Sequence, residues 1–280
     1  MEPELSAGSE AAAVNPSKRE VSVKTEEPEA KRCDSRDIYT NLSGSGAGAG
    51  RPGPDSEIRI LLIGDRRAGK SSSGNTILVR EEFPSAAPDR CEVRKGWVAG
   101  RRISIVDTPR LSMDDNHRRV EEEMMVQLCS PGPHAVVIVI SLDPSDLSLL
   151  GKFFFLEKFK KTFGEVLFRH AVMLFTHGDR LRGRTVEQYI EKQAEEQRKQ
   201  NLGPERRAQN QREYLQRLME ECGNRCCVFN NKNTSDHRQV TELLETMEAM
   251  MRENGGAHYT FGRYQRILPS IAGGEEDETG

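Results

Sequence analysis

The stretch from Ile58 to Ser71 reads I-R-I-L-L-I-G-D-R-R-A-G-K-S, an apolar run opening into G-x-x-x-x-G-K-S. Residue types at this spacing hold phosphate. Gly64 ends the apolar run, and Gly69 allows a backbone conformation that a Cβ would hinder. The amides of Asp65, Arg66, Arg67 and Ala68 can turn inward onto phosphate oxygens. The N-terminus of the following helix adds its dipole. Lys70 is expected to reach the β- and γ-phosphates, and the Ser71 hydroxyl to meet Mg²⁺, with Ser72 completing the cradle. The bland alternative is a chance match in a glycine-bearing turn. The Ile-Leu-Leu-Ile run before the loop and the helix-compatible stretch after it argue against chance.

Two further segments carry chemistry. I-S-I-V-D ends in Asp107, immediately before Thr108-Pro109. A strand-end carboxylate downstream of a phosphate loop is placed to hold Mg²⁺ near Ser71, although alone it would read as a turn cap. The strand Ala171 to Phe175 runs into Thr176-His177-Gly178-Asp179, where P-loop GTPases carry N-K-x-D. A terminal Asp there accepts from guanine N1 and the exocyclic amine. Adenine lacks that donor pair, and leaving the carboxylate unpaired beside it is costly. Asp179 is therefore the expected guanine selector. His177 either packs over the ring or is an ordinary loop histidine. Asn230, after the short strand Cys226 to Phe229, either contacts the base edge, as its neighbour Asn231 could, or holds the adjacent loop.

These residues need a sheet to position them. Strands are read at Ile58–Ile63, Cys91–Val98, Arg101–Asp107, Ala135–Ile140, Ala171–Phe175 and Cys226–Phe229, the second and third joined through Ala99-Gly100 as a tight hairpin. Helices are read at Lys70–Leu78, Asn116–Leu128 (Val120, Met124, Val126 and Leu128 inward), Leu149–Phe163, Thr185–Gln200, Arg207–Glu221 and Arg238–Arg252. The last carries Val240, Leu243, Leu244, Met247 and Met251 at helical spacing. The middle pair is polar with a narrow apolar seam. The fold class expected is α/β: a three-layer α/β/α P-loop NTPase, its sheet mostly parallel with an antiparallel edge hairpin and a helical insertion.

Residues 1–56 read as a disordered leader ending G-S-G-A-G-A-G-R-P-G-P, and 258–280 as a flexible tail. Val23-Lys24-Thr25-Glu26 matches a short pattern used for lysine conjugation, of a length that recurs by chance. The folded domain is expected over 57–257, with the helical insert at about 181–222. The whole chain has 280 residues, 35% hydrophobic and 30% charged, with a formal charge of -3. That balance gives no general attraction to nucleic acid. Six scattered cysteines fit no ordinary zinc spacing and suit a reducing, cytoplasmic setting. No apolar run is long enough for a transmembrane anchor.

From about Glu57 to Ala257 the sequence resembles the AIG1-type GTPases, the GIMAP family of immunity-associated nucleotide-binding proteins. The likeness rests on G-D-R-R-A-G-K-S-S-S-G-N-T-I-L (Gly64–Leu78), V-D-T-P (Val106–Pro109), T-H-G-D (Thr176–Asp179), F-N-N-K-N (Phe229–Asn233) and the polar helical insert. T-H-G-D and the Trp97 hairpin look closest to fish versions. The resemblance implies binding of GTP and GDP with Mg²⁺, and a nucleotide-dependent homodimer or homo-oligomer; it names no protein partner. Two positions depart from the family pattern. Arg110 stands where the D-x-x-G switch has glycine, and Pro88 where the first switch has threonine. Proline brings neither a hydroxyl for Mg²⁺ nor an amide for the γ-phosphate. Nucleotide binding is expected, with hydrolysis slow or dependent on dimerisation. The alternative is a non-hydrolysing interaction module.

Overall fold

The computed structural model describes residues 57–84, 89–109, 115–144, 157, 159–199 and 205–261. The leader, the tail beyond 261, Pro88 and Arg110 lie outside the described residues, as does most of the helix expected at Leu149–Phe163. Among the described residues there are six strands: β1 (Ile58–Gly64), β2 (Glu92–Val98), β3 (Arg101–Asp107), β4 (Ala135–Ser141), β5 (Ala171–Thr176) and β6 (Cys226–Phe229). The helices are α1 (Lys70–Leu78), α2 (Asp115–Leu128), α3 (Val186–Lys199), α4 (Glu205–Glu221) and α5 (Arg238–Glu253).

The strands form one sheet in the order β2-β3-β1-β4-β5-β6. Only β2 is antiparallel to its neighbour; its turn with β3 places Ala99 and Gly100 at φ 50° and 74°. Positive φ at both central residues is what a two-residue hairpin of the primed type requires. Along β1 the side chains alternate between two cores. Ile58, Ile60 and Leu62 pack with α1 and α5, while Leu61 and Ile63 pack with α2, α3 and α4. A strand buried on both faces has to be apolar at every position, which is why β1 and β4 read as unbroken hydrophobic runs. The three-layer α/β/α architecture follows.

The seams of α3 and α4 lie where expected, with Val186, Tyr189, Ile190, Leu215 and Leu218 buried. In α5, Met250 joins the expected inward residues. In α2, Val126 is buried and Met124 and Leu128 pack against the core as expected, but Val120 is 58% exposed and Met125 is buried in addition. Six residues carry the helix about 240° beyond whole turns, so residues 120 and 126 cannot share a seam.

Packing also runs past residue 257. Tyr259 and Phe261 are buried, with the Tyr259 hydroxyl donating to Phe163 O and its amide to Pro133 O (2.9 Å). This segment lies beside a group of imidazoles at the start of β4. His134 Nδ1 accepts the Arg59 amide at 3.1 Å and so must be unprotonated, and the His258 ring sits edge-on at 5.9 Å. Burial, then the charge of Arg59 and the neighbouring His258 and His170, pulls His134 down to about 4 from 6.5. The unfolded chain therefore binds a proton that the fold excludes. The stability contribution is intact above pH 6.5 and is lost as pH falls toward about 4. The loss reaches at most about 3 kcal/mol at 1.36 kcal/mol per pH unit. Urea titrations at pH 7 and 4.5 should show it, and His134→Asn should flatten the difference.

Candidate nucleotide site

The phosphate loop leaves the carboxyl end of β1, the central strand, and closes onto α1. A Cβ on Gly64 would lie 2.5 Å from Val139 O, so β1 and β4 approach at the loop mouth more closely than any side chain permits. Gly69 has φ 95°, and its Cβ would meet Thr176 Cγ2 at 3.1 Å. Both positions need glycine, the first for space and the second for conformation as well. Arg66 and Arg67 are exposed, and Ala68 is buried beneath them. The Arg66 amide donates to Asp65 Oδ1 at 2.7 Å, so one loop amide already faces a carboxylate.

Lys70 lies in the cradle, 6% exposed, with Nζ donating to Gly64 O (3.1 Å) and Asp65 O (3.0 Å). Burial lowers its pKa, opposed by the charges of Asp107 and Asp65. The Ser71 hydroxyl donates to Asp107 Oδ2 at 2.5 Å. Asp107 Oδ1 is buried with no hydrogen-bond partner among the described residues. Burial raises the Asp107 pKa, with the Ser71 hydrogen bond and the Lys70 charge pulling the other way. A hydroxyl and an unpartnered carboxylate oxygen side by side form the hard oxygen donor set that Mg²⁺ takes. Next to Asp107, the Thr108 hydroxyl donates to Leu62 O at 2.8 Å and ties the end of β3 to β1.

Thr176 is fully buried, and its hydroxyl donates to Ala68 O at 2.7 Å. That bond fastens the end of β5 to the phosphate loop. His177 follows at φ 62°, with Nδ1 3.2 Å from Ser141 Oγ and 3.3 Å from Thr176 Oγ1. Asp179 stands at the rim with its side chain 35% exposed, and its Oδ2 receives Lys232 Nζ at 3.1 Å. Its slight burial pushes the carboxyl up, but the hydrogen bond and charge of Lys232 outweigh this and hold the pKa below the usual value. Asn230 Oδ1 accepts the Lys232 backbone amide at 3.2 Å, and the Asn230 backbone amide donates to Gln239 Oε1 at 2.9 Å.

The residues from Gly64 to Ser71, Asp107 and Thr176 thus form one connected cluster. Ser72 is exposed and its carbonyl accepts the Thr76 hydroxyl at 3.0 Å. Asp179 and Asn230 have no direct bond to each other and are bridged by Lys232. Sequence reasoning assigned no role to Lys232, Asn75 or Gln239. Asn75 Oδ1 accepts the Glu82 and Phe83 amides (3.0 and 2.7 Å), and Nδ2 donates to Phe83 O at 2.9 Å. Lys232 and Asn75 sit inside the quoted motifs, which was the only signal; Gln239 had none.

The AIG1 family profile matches residues 58–207 and 198–277. The chain belongs to the AIG1 family. Within it, this AIG1 chain is 28% identical over 245 residues to human GTPase IMAP family member 8, covering 80% of this chain and 33% of the relative. It is 26% identical over 222 residues to Immune-associated nucleotide-binding protein 1 of Arabidopsis thaliana, covering 74% of this chain and 90% of that one. The chain therefore spans about a third of the human relative's length. Among solved structures, Toc33 from Arabidopsis thaliana in complex with Mg²⁺ and GMPPNP is similar at 14% identity and a TM-score of 0.48, over 71% of this chain and 86% of that one. No helix among the described residues is long and apolar enough to cross a membrane.

Proposed function

We propose that this AIG1-family domain binds GTP and GDP with Mg²⁺. The observation that carries the reading is the Thr176 hydroxyl on Ala68 O at 2.7 Å, which joins the phosphate loop to the segment bearing Asp179. That bond supports reading a phosphate cradle and a base-reading carboxylate as parts of one site. Lys70 supplies a cation to the β- and γ-phosphates, and loop amides supply donors. Ser71 and Asp107 would hold Mg²⁺, which neutralises phosphate charge when bound. Asp179 selects guanine. His177 and Asn230 line the base end.

Hydrolysis is proposed to be slow or to need self-association, because Pro88 and Arg110 replace the residues that the family uses to sense the γ-phosphate. The free thiols of Cys91, Cys129, Cys222, Cys226 and Cys227 suit a reducing cytoplasm. The likeness of T-H-G-D and the Trp97 hairpin to fish versions rests on those residues alone.

The test is nucleotide analysis of the purified protein, followed by competition and single-turnover hydrolysis across protein concentrations. GDP or GTP should be displaced by guanine nucleotides and not by ATP, and hydrolysis should rise with concentration. Equal competition by ATP would overturn the guanine reading. Tight binding with no turnover at any concentration would replace the GTPase with the non-hydrolysing module and leave binding standing.

A further inference from the structure

One polar contact in the site joins two parts that nucleotide binding needs and that the chain keeps far apart. Asn231, in the loop after β6, reaches α1. Its Oδ1 accepts the Thr76 hydroxyl at 2.8 Å, and its Nδ2 donates to Ser73 Oγ at 3.2 Å. Ser73 and Thr76 are both buried. They lie on the helix that opens with Lys70 and Ser71.

Asn231 stands between two residues that face the base end. Asn230 is held by Gln239, which receives the Asn230 amide at 2.9 Å and donates from Nε2 to Asn233 O at 3.1 Å. Lys232 is held by Asn230 Oδ1 and reaches Asp179. The outer end of this chain, Lys232 to Asp179, is an exposed ion pair and fixes little on its own. Gln239 fixes the loop to α5. Asn231 is the side chain that fixes it to α1.

We infer that Asn231 is a positioning residue: by pinning the β6 loop to Ser73 and Thr76 of α1, it sets where Asn230, Lys232 and Asp179 meet the guanine edge relative to the phosphates. The inference rests on the proposed guanine-nucleotide reading of the site. Asn231 acts on the base through its neighbours and not by touching it. Its two bonds use both ends of one amide, so alanine removes both at once and takes a donor from the buried Ser73 hydroxyl and an acceptor from the buried Thr76 hydroxyl. Thr76 retains Ser72 O, at 3.0 Å, as an alternative acceptor. This limits the damage to α1 itself.

A role in positioning separates from a role in stability by base discrimination. Inosine diphosphate lacks the exocyclic amine of GDP, so the ratio of the two dissociation constants reads the fit at the guanine edge. Dissociation constants for both are measured with Mg²⁺ on the full chain, for the wild type, Asn231→Ala, Thr76→Val and the double variant. The GDP preference should fall by about fivefold in each single variant, the size of one neutral hydrogen bond. It should fall no further in the double variant than in Asn231→Ala, because the Asn231–Thr76 contact is already lost in both single variants. Asn231→Asp keeps an acceptor for Thr76 and should restore most of the preference. An unchanged GDP-to-inosine ratio in the variants, or additive losses, would overturn the inference while leaving guanine binding intact. Failure of the wild type to bind GDP would overturn the functional reading and this inference with it. If Asn231→Ala fails to fold, Thr76→Val carries the same test from the opposite side of the contact.

Discussion

Lys70→Met weakens nucleotide binding on the order of 100-fold or more while leaving the nucleotide-free fold as stable as before, or more so. The two effects separate because the ammonium does different things in the two states. Without nucleotide, Nζ is buried against Gly64 O and Asp65 O, and burial lowers its pKa. A buried cation is costly to its own fold unless strongly paired. Asp65 O keeps the Ala68 amide at 3.2 Å when Lys70 is gone, so that carbonyl is not left bare. Methionine fills the stem's volume with no charge to desolvate. With nucleotide, the same ammonium faces phosphate oxygens. Charge-assisted bonds contribute about 1.5–3 kcal/mol each, so losing two costs on the order of 100-fold or more in affinity. Calorimetry with GDP and thermal melts of the nucleotide-free protein measure the two effects separately. Retention of GDP affinity would remove Lys70 from the phosphate site. A large fall in the melting temperature of the free protein would make the lysine a structural group.

Asp179→Asn exchanges guanine for xanthine. The carboxylate offers acceptors only, and guanine presents two donors to it. An asparagine turns one acceptor into an NH₂ donor, which opposes the exocyclic amine of guanine and suits the carbonyl that xanthine carries there. Sites built around such a polar match reject the mismatched partner by large factors, so GDP affinity should fall about 100-fold or more while xanthosine diphosphate gains. The same substitution weakens the ion pair to Lys232. With side chains 35% and 69% exposed, that pair is worth roughly 0–1 kcal/mol and is screened by salt. Lys232→Ala is the control: it removes the pair, keeps the carboxylate, and should leave the base preference on guanine. Competition of labelled GDP by each diphosphate gives the ranking. An Asp179→Asn protein that still prefers GDP would show that another group reads the base.

These residues were legible for different reasons. Gly64, Gly69, Lys70 and Ser71 are close in sequence, and their chemistry is local, so spacing alone located the loop. Asp107 was singled out because it ends an apolar run and Asp179 because it closes the T-H-G-D segment after one, and strand ends in a parallel sheet gather at one edge. Val120 was misplaced because a helix with few apolar residues admits more than one inward face, and only contact with the sheet selects the face that holds Val126 and Met125 over the one that holds Val120. Tyr259 and Phe261 were assigned to a flexible tail. Their partners, Pro133 and Phe163, are remote in the chain, and composition near the end is polar.

Alone, the sequence determined the P-loop fold and the AIG1 family, and it proposed the kind of site. A phosphate loop on a buried strand, a strand-end carboxylate and a terminal Asp after a later strand are short-range patterns, and the physics that gives each its role acts within a few residues. The tertiary structure decided how those parts are joined. Thr176, which opens the T-H-G-D segment that the sequence places at the base, puts its hydroxyl on Ala68 O. Asn231, left by sequence between touching the base and holding a loop, holds α1 through Ser73 and Thr76. Both contacts cross more than a hundred residues, and which hydroxyl lies opposite which amide depends on the order and register of six strands. No local pattern encodes that order, because it is fixed by how the two faces of the sheet are buried together.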